Sequence, residues 1–293
     1  MAAVPRHTIT DHAAVADECK RLDTDIAGLL DRLREEEKPI YQGAGSVVGQ
    51  LWRTCTTVVA DLSVLDPTAR RMRELLAIAR DAGVAIFWAS EGPVTWPPVN
   101  MNIGPLSYRI PATGKSAETT PHVWETVLWQ QEICRLQHAQ KMLIADEEFT
   151  LAPGTDRYVL AWVEAMRAVW ARKSHALQAI LDASELCRPE NAPNSDPEYL
   201  DRIVYPKMQA LYFAVQGPAV ADDLNAVLES GLNSHRNYYS SDERADLPEG
   251  FISWPLLGAA CMAMRYGTEI RVSSEYLPEY LLRPADWVTT LGW

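Results

Sequence analysis

DHAAVADECKRLDTDIAGLLDRLRE, residues 11–35, decides the fold class. Within it Val15, Cys19, Leu22, Ile26, Leu29 and Leu33 recur at steps of three and four, with charged residues between them. That period puts one apolar stripe along a helix and leaves the opposite face to water. Thr10 or Asp11 supplies a side-chain oxygen to cap the start, and the run fades in Glu35-Glu36-Glu37-Lys38-Pro39.

The same period recurs outward along the chain. Gly43-Ala44-Gly45 leads into a helix through Leu51, Trp52, Val58 and Val59. Asp66-Pro67 predicts a fresh start, with Asp66 as cap, for a helix through Leu75, Leu76 and Ala79. Thr120-Pro121 caps a helix carrying Trp124, Val127, Leu128, Ile133, Leu136 and Leu143. Pro153-Gly154-Thr155 opens one long helix with Val159, Trp162, Val163, Met166, Trp170, Leu177 and Ile180 on one face. A polar loop from Arg188 to Pro197 follows, and Asp196-Pro197 begins a helix that Pro206 must kink or break, since it lacks an N–H. Further helices run from Val220 towards Tyr238-Tyr239 and from about Pro255 to Arg265, the latter stopping at Gly267. Alternation appears in one place: Val99, Met101 and Ile103, then Leu106, Tyr108 and Ile110, across a Gly104-Pro105 turn. A short strand is expected at Glu269 to Val272. The expectation is a mainly α, single helical domain over 1–293, with N-terminal helices in 11–92, a hairpin at about 98–111, helices in 120–287 and a short C-terminal strand.

Composition bounds the function. The chain has 293 residues, 47% hydrophobic and 23% charged, enough for a sizeable core. Its 39 acidic and 27 basic residues give a net charge of −12, which disfavours nucleic acid and anionic membrane surfaces and suits a basic protein partner. Cys19, Cys55, Cys134, Cys187 and Cys261 are odd in number and without CxxC spacing, as expected of reduced thiols. The N-terminus carries Arg6, His7 and Asp11 and no apolar run, and nothing approaches the ~18 apolar residues of a membrane span. A cytoplasmic protein is expected.

Chemistry-bearing motifs are sparse. Gly43 to Gly49 reads GxGxxxG before a helix, yet no buried strand precedes it, so an inter-helix joint is the better interpretation than a phosphate loop. No Walker A, G-x-S-x-G or H-E-x-x-H pattern occurs, and neither a metal nor a cofactor is expected. His7, His12, His122, His138, His175 and His235 show no metal-ligand spacing. On one helical stripe Trp124, Leu128, Gln131, Arg135, His138 and Met142 follow one another, so an inward stripe would bury a polar ladder of Gln131, Arg135 and His138. His235 continues the line of Leu228 and Gly231 towards Tyr238 and Tyr239. Tryptophan is plentiful, at 10 against 4 phenylalanines. Trp52, Trp124, Trp162 and Trp170 suit a core, whereas Trp96, Trp287 and Trp293 are open to a surface role. Asp146, Glu147 and Glu148, and Asp242, Glu243 and Asp246, form acidic clusters suited to a basic partner.

The C-terminal half resembles a known family through an ordered set of stretches. These are Trp162-Val163-Glu164 with Trp170, Tyr199 to Pro206, His235 to Tyr239, Pro255 to Cys261, and Val272 to Leu282. In order and spacing they are similar to immunity protein 49 of bacterial polymorphic toxin systems, across roughly 158–287. The resemblance implies a mainly helical protein that binds a cognate toxin domain, expected to be basic, and blocks it in the producer's cytosol. An alternative from the residue types is an enzyme on the same scaffold, in actinobacterial natural-product assembly and acting beside a biosynthetic partner enzyme. Gln131, Arg135, His138, His235 and Tyr239 would line its cavity for a metal-free elimination or aziridine-type ring closure. Arg135 would hold a sulfate or phosphate leaving group, and His138 or His235 would take the proton.

Overall fold

A computed structural model describes residues 2–35, 44–91, 97–135, 149 and 153–283. They fall into two compact units: an N-terminal unit within 11–135, and a C-terminal unit of 149–283 that also takes in residues 2–10. Helices dominate both, so the architecture is mainly α.

In the N-terminal unit, α1 (His12–Glu35) starts where Asp11 accepts a hydrogen bond from the Ala14 N–H at 2.8 Å. Its stripe of Val15, Cys19, Ile26, Leu29 and Leu33 is buried, with α1 packed on α2 (Ala44–Leu65) and α2 on α3 (Arg70–Glu91). The glycine-rich run, from Ala44 on, is the opening of α2. Asp66 does not cap α3 directly. Its carboxylate accepts from the Thr68 N–H and hydroxyl, which closes a turn and delays the helix to Arg70.

β2 (Val99–Ile103) and β3 (Leu106–Ile110) form the expected antiparallel hairpin, Val99 opposite Ile110 and Ile103 opposite Leu106. Gly104 turns it at φ 58°, and its N–H donates to Asp81 at 3.0 Å, tying the turn to α3. α4 (Pro121–Ile133) is capped by Thr120, as the sequence predicts, and packs closely on α3. A Cβ on Gly83 would stand 2.4 Å from Val127. The helix ends at Ile133, short of Leu143, because Arg135 sits at φ 59°, where an L-residue cannot continue a right-handed helix. The helical stripe is therefore broken before Arg135, and the rest of it, from His138, lies outside the described residues.

In the C-terminal unit the long helix expected from 155 to 180 is two: α5 (Tyr158–Trp170) and α6 (Ala176–Leu186), packed on each other. Arg172 at φ 53° lets the Lys173 N–H reach the Ala168 carbonyl at 2.8 Å, a Schellman-type stop made without glycine. Asp196 caps α7 (Pro197–Tyr199), which passes through a π-helical turn, Leu200–Val204, into α8 (Tyr205–Ala214). That wide turn sits immediately before Pro206 and absorbs its missing donor, so the chain bends into α8 rather than breaking. α9 (Ala221–Tyr239), α10 (Trp254–Arg265) and α11 (Glu279–Leu282) follow, with Gly267 at φ 86° after α10.

The C-terminal strand, β4, is Val272–Ser274, three residues later than expected. It pairs in parallel with β1 (Ala2–Val4), a strand the sequence did not signal. Glu269 and Arg271 lead into it with their backbone held by Asn225. The Asn225 amide donates to the Glu269 carbonyl at 2.9 Å, and its oxygen accepts from the Arg271 N–H at 2.6 Å. All five cysteines are buried and unbridged. Among the described residues no helix is long and apolar enough to cross a membrane.

Candidate functional site

α9 carries His235 and Tyr239 one turn apart, and the C-terminal unit builds a buried aromatic cluster on them. The His235 ring lies 4.7 Å from those of Tyr239 and Tyr276, and its Nε2 bonds the Gly250 carbonyl at 3.0 Å. Only glycine fits at 250, because a Cβ there would stand 2.5 Å from the Tyr239 ring. Burial pushes the His235 imidazole down to about 4, against the weaker pull of the Gly250 carbonyl. Burial likewise raises the Tyr239 phenol and lifts Tyr276 to about 12.

Residues 2–10 close over this cluster as a strap. The His7 N–H donates to the Tyr276 oxygen at 2.8 Å; the hydroxyl pairs with His7 Nδ1 at 2.8 Å, and His7 Nε2 with the Ala245 carbonyl at 2.9 Å. With the phenol donating to Nδ1 and Nε2–H donating to the carbonyl, the imidazole is neutral. Burial lowers its pKa, and the Arg6 charge adds to that, against the Ala245 carbonyl. Arg6 donates from its backbone to the Glu275 carboxylate at 2.9 Å and from Nη2 to the Glu275 carbonyl at 2.7 Å. Its guanidinium stands 5.9 Å from the Phe251 and Tyr276 ring centres. Thr10 donates from both its N–H and its hydroxyl to Asp246. Chemically this is a clasp: each imidazole has a nitrogen committed to a backbone carbonyl, and His235 is 5% exposed.

Of the five residues proposed for an enzyme cavity, the structure brings together His235 and Tyr239. Gln131 and Arg135 belong to the N-terminal unit, and His138 lies outside the described residues. Gln131 is fully buried on α4, and among the described residues its amide has no hydrogen-bond partner. Its neighbour Gln130 is satisfied, accepting from the Trp52 indole at 3.1 Å and donating to Thr56 at 3.0 Å. Cys134 is fully buried beside Arg80, and burial pushes its thiol up to about 11 despite that charge. Arg80 in turn pairs with Asp81 at 2.7 Å.

The acidic residues separate by role. Asp146, Glu147 and Glu148 lie outside the described residues, as do Trp96, Trp287 and Trp293. Asp246 is half-buried and holds the strap through Thr10, whereas Asp242 and Glu243 are exposed in the turn after α9. Beside them lies an arrangement the sequence did not signal. The Arg244 guanidinium is 3.9 Å from the Tyr238 ring centre, and its Nη1 donates to the Tyr238 carbonyl at 3.2 Å and to Glu198 at 3.1 Å. Tyr199 meets Tyr238 edge-on at 5.8 Å. Among the described residues no three His, Cys, Asp or Glu side chains gather as a metal site would need.

Comparison with known proteins adds one match. A family model described as Immunity protein 49 covers residues 66–281, reaching well before the 158–287 stretch in which the resemblance is expected. No curated protein and no solved structure matches the chain.

Proposed function

The chain belongs to the immunity protein 49 family, and from that premise we propose that it neutralises a cognate toxin domain by binding it directly. The observation that carries this reading is the extent of the family match, which spans parts of both compact units. The net charge of −12 supports a basic toxin partner, since an acidic surface speeds encounter with a cationic one and repels anionic competitors. The buried, hydrogen-bonded clasp at His7 and His235 suits a preorganised inhibitor, which loses little entropy on docking. On this reading the producer's own cytosol is where the protein acts.

The test is a tagged pull-down from the native host, followed by expression of the retained protein alone and together with this chain. The expected outcome is a basic protein that stops growth alone and is harmless when co-expressed, with binding that weakens as salt rises. A retained protein that is harmless alone would refute the reading, and so would turnover of a small molecule by the purified chain without a protein partner.

A further inference from the structure

We propose that the face built from Tyr199, Tyr238, Arg244 and Leu247, rimmed by Asp242 and Glu243, docks a basic protein partner. The partner sets an apolar or aromatic side chain against the tyrosines and surrounds it with lysine and arginine. This deepens the immunity reading and rests on it.

Three observations converge on this face. Tyrosine and arginine dominate interface energies, and here they sit half-exposed and already ordered. Tyr238 is fixed by Arg244 over its ring at 3.9 Å, by Tyr199 at 5.8 Å and by Tyr239 edge-on at 5.1 Å. Side chains held in this way lose little rotamer freedom on binding, unlike an ordinary surface arginine. Leu247 adds an apolar contact at 43% exposure, one turn beyond Arg244 and linked to it by a 3.1 Å backbone bond.

Charge then selects the partner. Arg244 is already drawn to Glu198 at 3.1 Å, and the neighbouring Arg202 to the same carboxylate at 3.2 Å. Asp242 and Glu243 are exposed and engaged by no cation among the described residues. The contrast with α1 is plain, where Glu18 and Asp25 flank Arg21 and Asp31 meets Arg34. An ordered aromatic centre inside an uncompensated acidic rim is the complement of an apolar knob ringed by basic residues.

The test uses the toxic partner recovered by the pull-down, purified and titrated against the full chain. D242K/E243K reverses exposed rim charges; D223K reverses an exposed charge near the start of α9 as a control. The double variant is expected to lose about tenfold or more in affinity, mostly at low salt, and the control less than about twofold. A photoreactive residue at Leu247 is expected to crosslink to the partner. If D242K/E243K binds like the wild type and Leu247 gives no crosslink, this face is wrong while the immunity reading stands. If the wild-type chain retains no toxic protein, both fall together.

Discussion

The two buried imidazoles make the C-terminal unit sensitive to acid, and the structure sets the size of the effect. In the unfolded chain His235 titrates near 6.5; in the fold, burial holds it down at about 4. Between those values the unfolded state binds a proton that the folded state refuses. Stability therefore falls as pH falls, by about 1.4 kcal/mol per pH unit for one histidine. Its contribution is fully present above about pH 6.5 and is lost as pH drops through about 4, a total of about 3 kcal/mol. His7 is shifted in the same direction and steepens the slope. Carboxylates also titrate in the acid range, so the informative quantity is a difference. In H235Q the amide can still donate to the Gly250 carbonyl but takes up no proton. Urea unfolding followed by near-ultraviolet circular dichroism, from about pH 7.5 to about pH 4.5, should give the variant a shallower loss of stability than the wild type. Histidine ring NMR provides the direct check. A His235 resonance titrating near 6.5 in the folded protein, or equal slopes for the two proteins, would refute the reasoning.

Three further outcomes follow from packing. G250A should lower the melting temperature, because a Cβ 2.5 Å from Tyr239 must move that ring, at a cost of about 1–3 kcal/mol; unchanged melting would mean that the α9 contact is looser than described. Q131M should stabilise the N-terminal unit by about 1–2 kcal/mol, since it removes a fully buried amide that has no partner among the described residues while keeping its length; destabilisation in denaturant titrations would show that something satisfies the amide. D156A should expose the loop after α6 to proteolysis, since Asp156 accepts from the Asn194 amide at 2.9 Å and the Ser195 hydroxyl at 2.6 Å; an unchanged digestion pattern would show that the loop holds by other means.

Local chemistry was legible in the sequence, and distant contact was not. The hairpin at Gly104, the caps at Asp11, Thr120 and Asp196 and the stop at Gly267 all depend on residues within a few positions of one another. Two helix ends escaped because arginine, not glycine, takes the left-handed position at 135 and 172, and surrounding structure overrides that preference. β1 and the clasp escaped for a stronger reason. His7 meets Tyr276 across 269 positions and Thr10 meets Asp246 across 236, separations at which no periodicity speaks. The acidic cluster shows what this does to a candidate site. Asp242, Glu243 and Asp246 are equivalent as letters, yet Asp246 spends its charge on Thr10 while the other two face solvent. Arg244, between them, reads as a neutralising charge until Glu198, 46 positions earlier, is seen to hold it over Tyr238. Whether a carboxylate can meet a partner is thus decided by which cations the fold has already assigned elsewhere, and that assignment exists only once the chain has folded.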